Sequence, residues 1–532
     1  MTIDFNMATV RTFKNGGVVR WDQDDWFAGL TPDWGLNETE TTLGKGFSTM
    51  TGIDPFRRPG YLAPAADPLN ATNNSVIDAM QLNGVVYGTN AYTVGGTKIH
   101  ELAILTSTLT NGATFPHTTS AHGGHNSLAL YDICIYYIGT TRYAFYSWSD
   151  NTDGDVGRYD LASTFDDDYM STVPASAAAL DTTNPHPMVV GADDILYIAD
   201  GHKLHKFDGQ TGANGTLFKS RLTLPTDYII TSFAKTGDNL VIFAYKSSGS
   251  SGGSYYKSEA TAFFWDYTSE DPWKVVPLQG NYVNGGFSFQ GTIGCFVQGS
   301  SAILTSSSKQ SRLLLYDGSI FKPVAGFIDN IPGYGGVEVY DNTIYWNAAG
   351  YIYQYGAPHI GIDRALNRIT KLDGTSSEGM LRNFSNSRMM ASAGTTTSGG
   401  MQRVNSGHYA GSIITPTVNI PFSKPAVARI TAVKIFWYST KTAGSNKISV
   451  KILTDRNQAS ATIIDTSGTV GSDRQSPPAS LVNVWYDQYN ATAFPTTCSM
   501  ALYAYYTEVD PTLLPAIIQA VEVYYEYENI SP

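Results

Sequence analysis

The sequence predicts an all-β protein: a β-propeller of six or seven blades, followed by a C-terminal β-sandwich and preceded by an extended N-terminal arm. Three observations predict it. Helical periodicity is almost absent from the 532 residues, while Gly (51) and Tyr (34) are abundant. A hairpin-like unit recurs at roughly blade length. From about Ser406 the pattern changes to clean period-two alternation.

The recurring unit is clearest at Asp193–Gly209, two apolar bursts joined at Asp200-Gly201 and closed at Asp208-Gly209. Asp-Gly between apolar runs is a hairpin signal, because glycine accepts the positive φ of a tight turn. Leu204 and Phe207 fall on opposite faces of the second strand, so both are buried only if the sheet is covered on both sides. Asp341–Gly356 has the same plan. Anchoring each copy on its last polar residue gives Gly84, Asp132, Asp194, Asn239, Gly291 and Asn342, with steps of 48, 62, 45, 52 and 51. One four-stranded blade takes about 40–50 residues. Arg388–Ala393 reads either as part of a degenerate seventh blade or as a site where N-terminal sequence completes the last one.

The domain boundaries follow as 1–66, 67–405 and 406–532. Met1–Ala66 carries Trp21, Trp26 and Trp34, with Phe56 and Tyr61 around two prolines. Aromatic residues in a segment of low regular structure suit an arm that packs across another surface, with these five as the candidate interface residues, or equally an arm folded back on its own propeller. Between blades, Ser247–Ser254 reads as a flexible surface connection. In the last domain Lys447–Ile452 and Val521–Tyr527 alternate, and Val433–Trp437 and Val482–Trp485 add strands. Ala175–Leu180 and Thr512–Ala520 are the best helix candidates.

Composition excludes several functions. Net charge is −12, and charged residues are only 15% of the chain. Duplex binding requires a basic footprint, which is missing. The three cysteines, Cys134, Cys295 and Cys498, are far apart within apolar runs and read as reduced and buried. The N-terminus lacks the pattern of a secretion signal, and no run of about 18 apolar residues predicts a membrane span. Synthesis and folding in a cytoplasm are expected.

No spacing selects a catalytic pair. His122 and His125 lack further ligands at metal-site spacings. Asn151, Asp153 and Asp160 partly follow a calcium-loop template, with Ser149 a poor first ligand and an Asp in the final place, so they are weak metal candidates beside a plain turn. Asp166-Asp167-Asp168 reads as an exposed loop. Neither a nucleophile elbow nor a phosphate loop nor a dinucleotide fingerprint is present. No cofactor, no metal and no enzymatic activity are expected.

An arm with the step Arg58-Pro59-Gly60-Tyr61, a propeller-like repeat, and the join Gly407–Pro416 leading through Lys424 into alternating strands resembles tail proteins of short-tailed bacteriophages, above all their nozzle or tail-tube proteins. The resemblance implies a homo-oligomer, usually a hexameric ring, in a virion tail assembled in the host cytoplasm. Its partners would be an adaptor and fibres, and DNA would pass through during ejection without specific binding. Two alternatives stand beside it. One is a capsid- or tail-tip-associated protein that binds host glycans, with Tyr351, Tyr353 and Tyr355 as an aromatic platform or simply as blade packing. The other is a propeller glycosidase, which needs paired carboxylates and basic residues at the funnel of the ring.

Overall fold

The computed structural model describes residues 16–21, 47, 49–56 and 62 and, between 69 and 529, the strands with most of the tight turns that join them. Among the described residues, seven four-stranded antiparallel sheets form the propeller. Their inner strands are Ser75–Leu82, Ala129–Ile138, Met188–Val190, Tyr228–Thr236, Tyr282–Phe289, Val337–Tyr340 and Leu381–Phe384. These define blades 1 to 7. Each inner strand contacts the next, and the seventh contacts the first, so the ring closes. The seventh blade takes its outer strand, Leu69–Asn70, from the N-terminal side, paired with Met401–Arg403. Both readings of Arg388–Ala393 therefore hold, since Arg388–Ser392 is the second strand of that blade.

Glycine and asparagine chemistry sets the turns between first and second strands. Asn83, Gly139, Asp194, Gly237, Gly291 and Asn342 all have positive φ, as tight hairpin turns require. Four of the six sequence anchors, Asp194, Asn239, Gly291 and Asn342, lie at these turns, and Gly84 lies outside the described residues. The exception is Asp132, which sits inside an inner strand. The hairpin of blade 2 is at Gly139-Thr140, and moving the anchor to Thr140 changes the first two steps from 48 and 62 to 56 and 54.

Burial on both faces makes the ring. Leu204 and Phe207 are both fully buried, in different clusters. Phe207 packs with Phe145, Tyr169 and Ile198 between blades 2 and 3. Leu204 packs with Ile230, Leu240 and Trp265 between blades 3 and 4. A further cluster, built on Phe243, Phe264, Cys295 and Leu314, joins blades 4 and 5. Cys134 and Cys295 are buried free thiols, and burial pushes both well above the ordinary thiol range; Cys498 lies outside the described residues.

The sandwich has two five-stranded sheets. The first runs Gly16–Trp21, Ile517–Asn529, Ala426–Ser439 and Val482–Gln488, with Thr496–Thr497 also on Ala426–Ser439. The second runs Thr49–Thr51, Ser412–Ile414, Ser499–Glu508 and Val418–Asn419, with Asn446–Thr454 also on Ser499–Glu508. The segment expected as an arm thus supplies a strand to each sheet, Trp21 opposite Val521 and Met50 opposite Ile413. The reason is an edge: a strand such as Ile517–Asn529 exposes unpaired backbone groups until another strand covers it.

The chain divides into two compact units, Leu69–Ile352 with Leu372–Val404, and Met1–Pro68 with Tyr353–Lys371 and Asn405–Pro532. Within the second unit Gln354 Nε2 donates to Asp54 Oδ1 at 3.0 Å, and Arg368 Nε donates to the Met50 carbonyl at 2.8 Å.

Three local expectations are corrected. Ser247–Ser254 is the end of a long hairpin, because Asn239–Ser251 and Ser254–Trp265 carry their pairing out to Ser251↔Ser254. Ala175–Leu180 is not helical; Ala175 bridges Thr216 instead. Within Thr512–Ala520, Ile517 onward is strand, because alternation in the following residues sets the register. Among the described residues the helix is the single turn Tyr169–Thr172, and no helix is long and apolar enough to cross a membrane.

Asp155 fixes that turn. Its Oδ1 accepts the Val156 N–H at 2.7 Å and its Oδ2 the Ser171 N–H at 3.2 Å. Burial raises its pKa to about 7, against the bonds from Ser171 and Val156. A folded pKa above the unfolded one favours the fold most below the unfolded value, and this contribution is lost as pH rises through about 7. Asp155→Asn is therefore expected to flatten the decline in thermal midpoint across that window, measured by calorimetry at a series of pH values.

Candidate functional site

The candidate site lies on the propeller axis, where inner strands from six blades meet around a cavity of about 160 Å³. β-Bulges place its polar groups. Pairing registers shift at Val76/Asp78, Leu130/Ile133, Ile230/Ser232 and Asn284/Phe287. A bulge leaves an extra residue unpaired in the ladder and re-aims side chains. At three of the four, an acid or amide accepts the next N–H: Ala79 on Asp78 Oδ1, Ile133 on Asp132 Oδ1 and Gly285 on Asn284 Oδ1, all at 2.8–2.9 Å. At the fourth, Thr231 Oγ1 donates to carbonyl oxygens.

The same groups stitch blade to blade. Asp132 Oδ2 accepts the Met188 N–H at 2.7 Å, joining blades 2 and 3. Thr231 Oγ1 donates to the Val283 carbonyl at 2.6 Å, joining blades 4 and 5. Arg382 of blade 7 donates from Nε and Nη2 to Asp78 Oδ1 of blade 1, at 3.0 and 2.8 Å, and from Nη1 to the Val337 carbonyl of blade 6 at 2.8 Å. Gly335, at φ +62°, passes so close to the Asp78 carboxylate that a Cβ there would collide with it.

Three carboxyl groups and one guanidinium share this axis. Burial, and then the Asp78 carboxylate beside it, push the Asp132 pKa well above the usual aspartate range, partly offset by the Met188 N–H and Arg382. Burial also raises Glu338, partly offset by Arg382. Burial opposes the charge on Arg382, but Asp78, Glu338 and Asp132 outweigh it, and its pKa rises. The core of the site is thus an ion pair, Asp78–Arg382, beside a carboxyl whose ionisation burial disfavours. The Asp78 side chain is 1% accessible, whereas that of Arg382 is 28% accessible because it lines the cavity.

Sequence reasoning missed this set because Asp78 and Arg382 are 304 residues apart. The available signal was local: a carboxylate inside an apolar strand, as in Val76-Ile77-Asp78-Ala79 and Tyr131-Asp132-Ile133. A second series was also missed. An aromatic-Asp pair ends the third strand of four consecutive blades: Tyr159-Asp160, Phe207-Asp208, Trp265-Asp266 and Tyr316-Asp317. Each aspartate accepts backbone N–H groups of the turn that follows.

Asp160, a metal candidate in the sequence, is accordingly a turn cap, receiving Ala162 and Thr164 N–H at 2.9 Å. Asn151, Asp153, His122 and His125 lie outside the described residues, among which no cluster of three metal-ligating side chains occurs. Asp166-Asp167-Asp168 is not a purely solvated loop, since Asp167 accepts the Tyr146 hydroxyl and Asp166 pairs with Arg158 at 3.8 Å. Of the interface candidates, Trp21 is in the first sandwich sheet and Phe56 is half-buried. Trp26, Trp34 and Tyr61 lie outside the described residues. Tyr353 and Tyr355 are buried in blade 6.

No family model and no curated protein matches the chain. Among solved structures it is similar to the Dos1 propeller, at 11% identity, covering 65% of this chain and 96% of that one, with TM-score 0.38. It is also similar to Drosophila Semaphorin 2a, at 7% identity, covering 64% and 75%, with TM-score 0.39. A third similar structure is described as a glycoside hydrolase, at 10% identity, covering 86% and 99%, with TM-score 0.30. No site residue is carried over from any of them.

Removing one partner of a buried ion pair strands the other's charge. Arg382→Met is expected to destabilise the fold by about 3 kcal/mol, read from chemical denaturation, and Asp78→Leu in the same chain to recover part of the loss. A cost near that of a surface substitution would contradict the staple.

Proposed function

We propose that the protein is a non-catalytic structural subunit of a bacteriophage virion tail, of the nozzle or tail-tube kind, which assembles with copies of itself into a ring around the DNA path. The observation that carries the non-catalytic reading is the commitment of the axial acids. Both Asp132 oxygens accept backbone N–H groups, and Asp78 takes an N–H and the Arg382 guanidinium. These groups hold the ring shut. With stitched side chains across it, the axis of one propeller has no room for a duplex, so the conduit would run between copies. The low charge content and net charge of −12 suit a wall along which DNA slips. The assignment to a phage tail rests on the resemblance in domain order.

A hydrolase reading is favoured by one observation, the presence of two carboxyl groups and an arginine on the axis. Its geometry is against it. Glycosidase carboxyl pairs face each other across a bound sugar, whereas Asp78 is 1% accessible beneath Arg382 and does not line the cavity.

Native mass spectrometry of the purified chain is expected to give a closed ring, with six copies of the 57.6 kDa subunit the first expectation. Antibody labelling of virions in the electron microscope is expected to mark the tail vertex. A monomer that degrades a polysaccharide, and stops doing so in Asp132→Asn, would overturn the proposal.

A further inference from the structure

The axial cavity has features that stitching the ring does not use. Asn284 is 2% accessible, and its Oδ1 accepts the Gly285 N–H. The residue lines the cavity, and its amide N–H groups are the donors it has to offer there. Ser232 Oγ accepts the Gly286 N–H at 3.1 Å, which leaves its own proton to donate. Arg382 uses three of its five N–H groups on Asp78 and Val337, and two remain. Three donor groups on blades 4, 5 and 7 therefore line one space. Met188, Phe233 and Tyr334 supply apolar walls.

We propose that this cavity is a binding site for a small, neutral, hydroxyl-bearing ring, of the hexopyranose or cyclitol class. Charge selects the class. The charged side chain that lines the cavity is Arg382, and Asp78 beneath it already balances that charge, so the pair as a whole offers no net charge to a free anion or cation. Size selects the ring. A cavity of about 150 Å³ holds benzene, so the roughly 160 Å³ here takes a single six-membered ring with its outer substituents at the open mouth, and not a chain of rings. Paired N–H groups of an arginine and an amide match adjacent hydroxyls, while a half-apolar wall matches the C–H face of such a ring.

The proposal goes beyond the structural role and does not depend on ring assembly. It is tested by saturation-transfer NMR and thermal shift on the full chain with methyl glucoside, methyl galactoside and myo-inositol, and with acetate and methylammonium as charged controls. At least one neutral probe is expected to bind saturably, and neither control to compete. Asn284→Asp keeps the acceptor for Gly285 and loses the donor; it is expected to weaken binding roughly tenfold. Ser232→Ala is expected to weaken it severalfold, and it carries the test if the first variant does not fold. No saturable binding of any neutral probe, binding undiminished in the folded variants, or preference for a charged control would each overturn the proposal.

Discussion

The structure depends on how the inner strands are joined around the axis. A propeller buries its blades against one another, and those apolar contacts are non-directional. They do not by themselves determine where the ring closes. Closure is fixed by directional bonds: Asp132 to Met188, Thr231 to Val283, and Arg382 to both Asp78 and Val337. The last of these joins the final blade to the first. Together with the pairing of Leu69–Asn70 onto Met401–Arg403, it ties the two ends of the propeller segment together at the centre and at the rim.

The same bonds explain the chemistry of the axis. A buried carboxylate is costly unless paired, and three carboxyl groups converge here with one arginine. Asp78 is paired with Arg382, and burial beside that pair pushes the Asp132 pKa up. The acids are therefore groups of the fold. The cavity beside them inherits a near-neutral, donor-rich lining from the same bulges.

Much of the architecture was legible in the chain because it is local. The turn residues Asp194, Gly291 and Asn342 mark hairpins through their positive φ, and the alternation of Lys447–Ile452 and Val521–Tyr527 marks sandwich strands. What was not legible is what depends on distant partners. Asp132 looks like a turn residue in sequence, because a bulge and a turn both favour a polar residue before an apolar run. The destination of Gly16–Trp21 is set by the open edge of Ile517–Asn529, some 500 residues away. The axial site was the least visible part, since its residues come from six separate strands and share no spacing. The aromatic-Asp pairs were visible and regular, and they report turn capping rather than chemistry.

The central claim is that the axis is the most tightly held part of the propeller. Native-state hydrogen exchange read by mass spectrometry tests it directly. Peptides from the inner strands, Ser75–Leu82, Ala129–Ile138, Tyr228–Thr236 and Tyr282–Phe289, are predicted to exchange only through global unfolding, after the outer strands Thr216–Thr223 and Lys274–Leu278. Inner-strand amides that exchange as fast as those of the outer strands would contradict it.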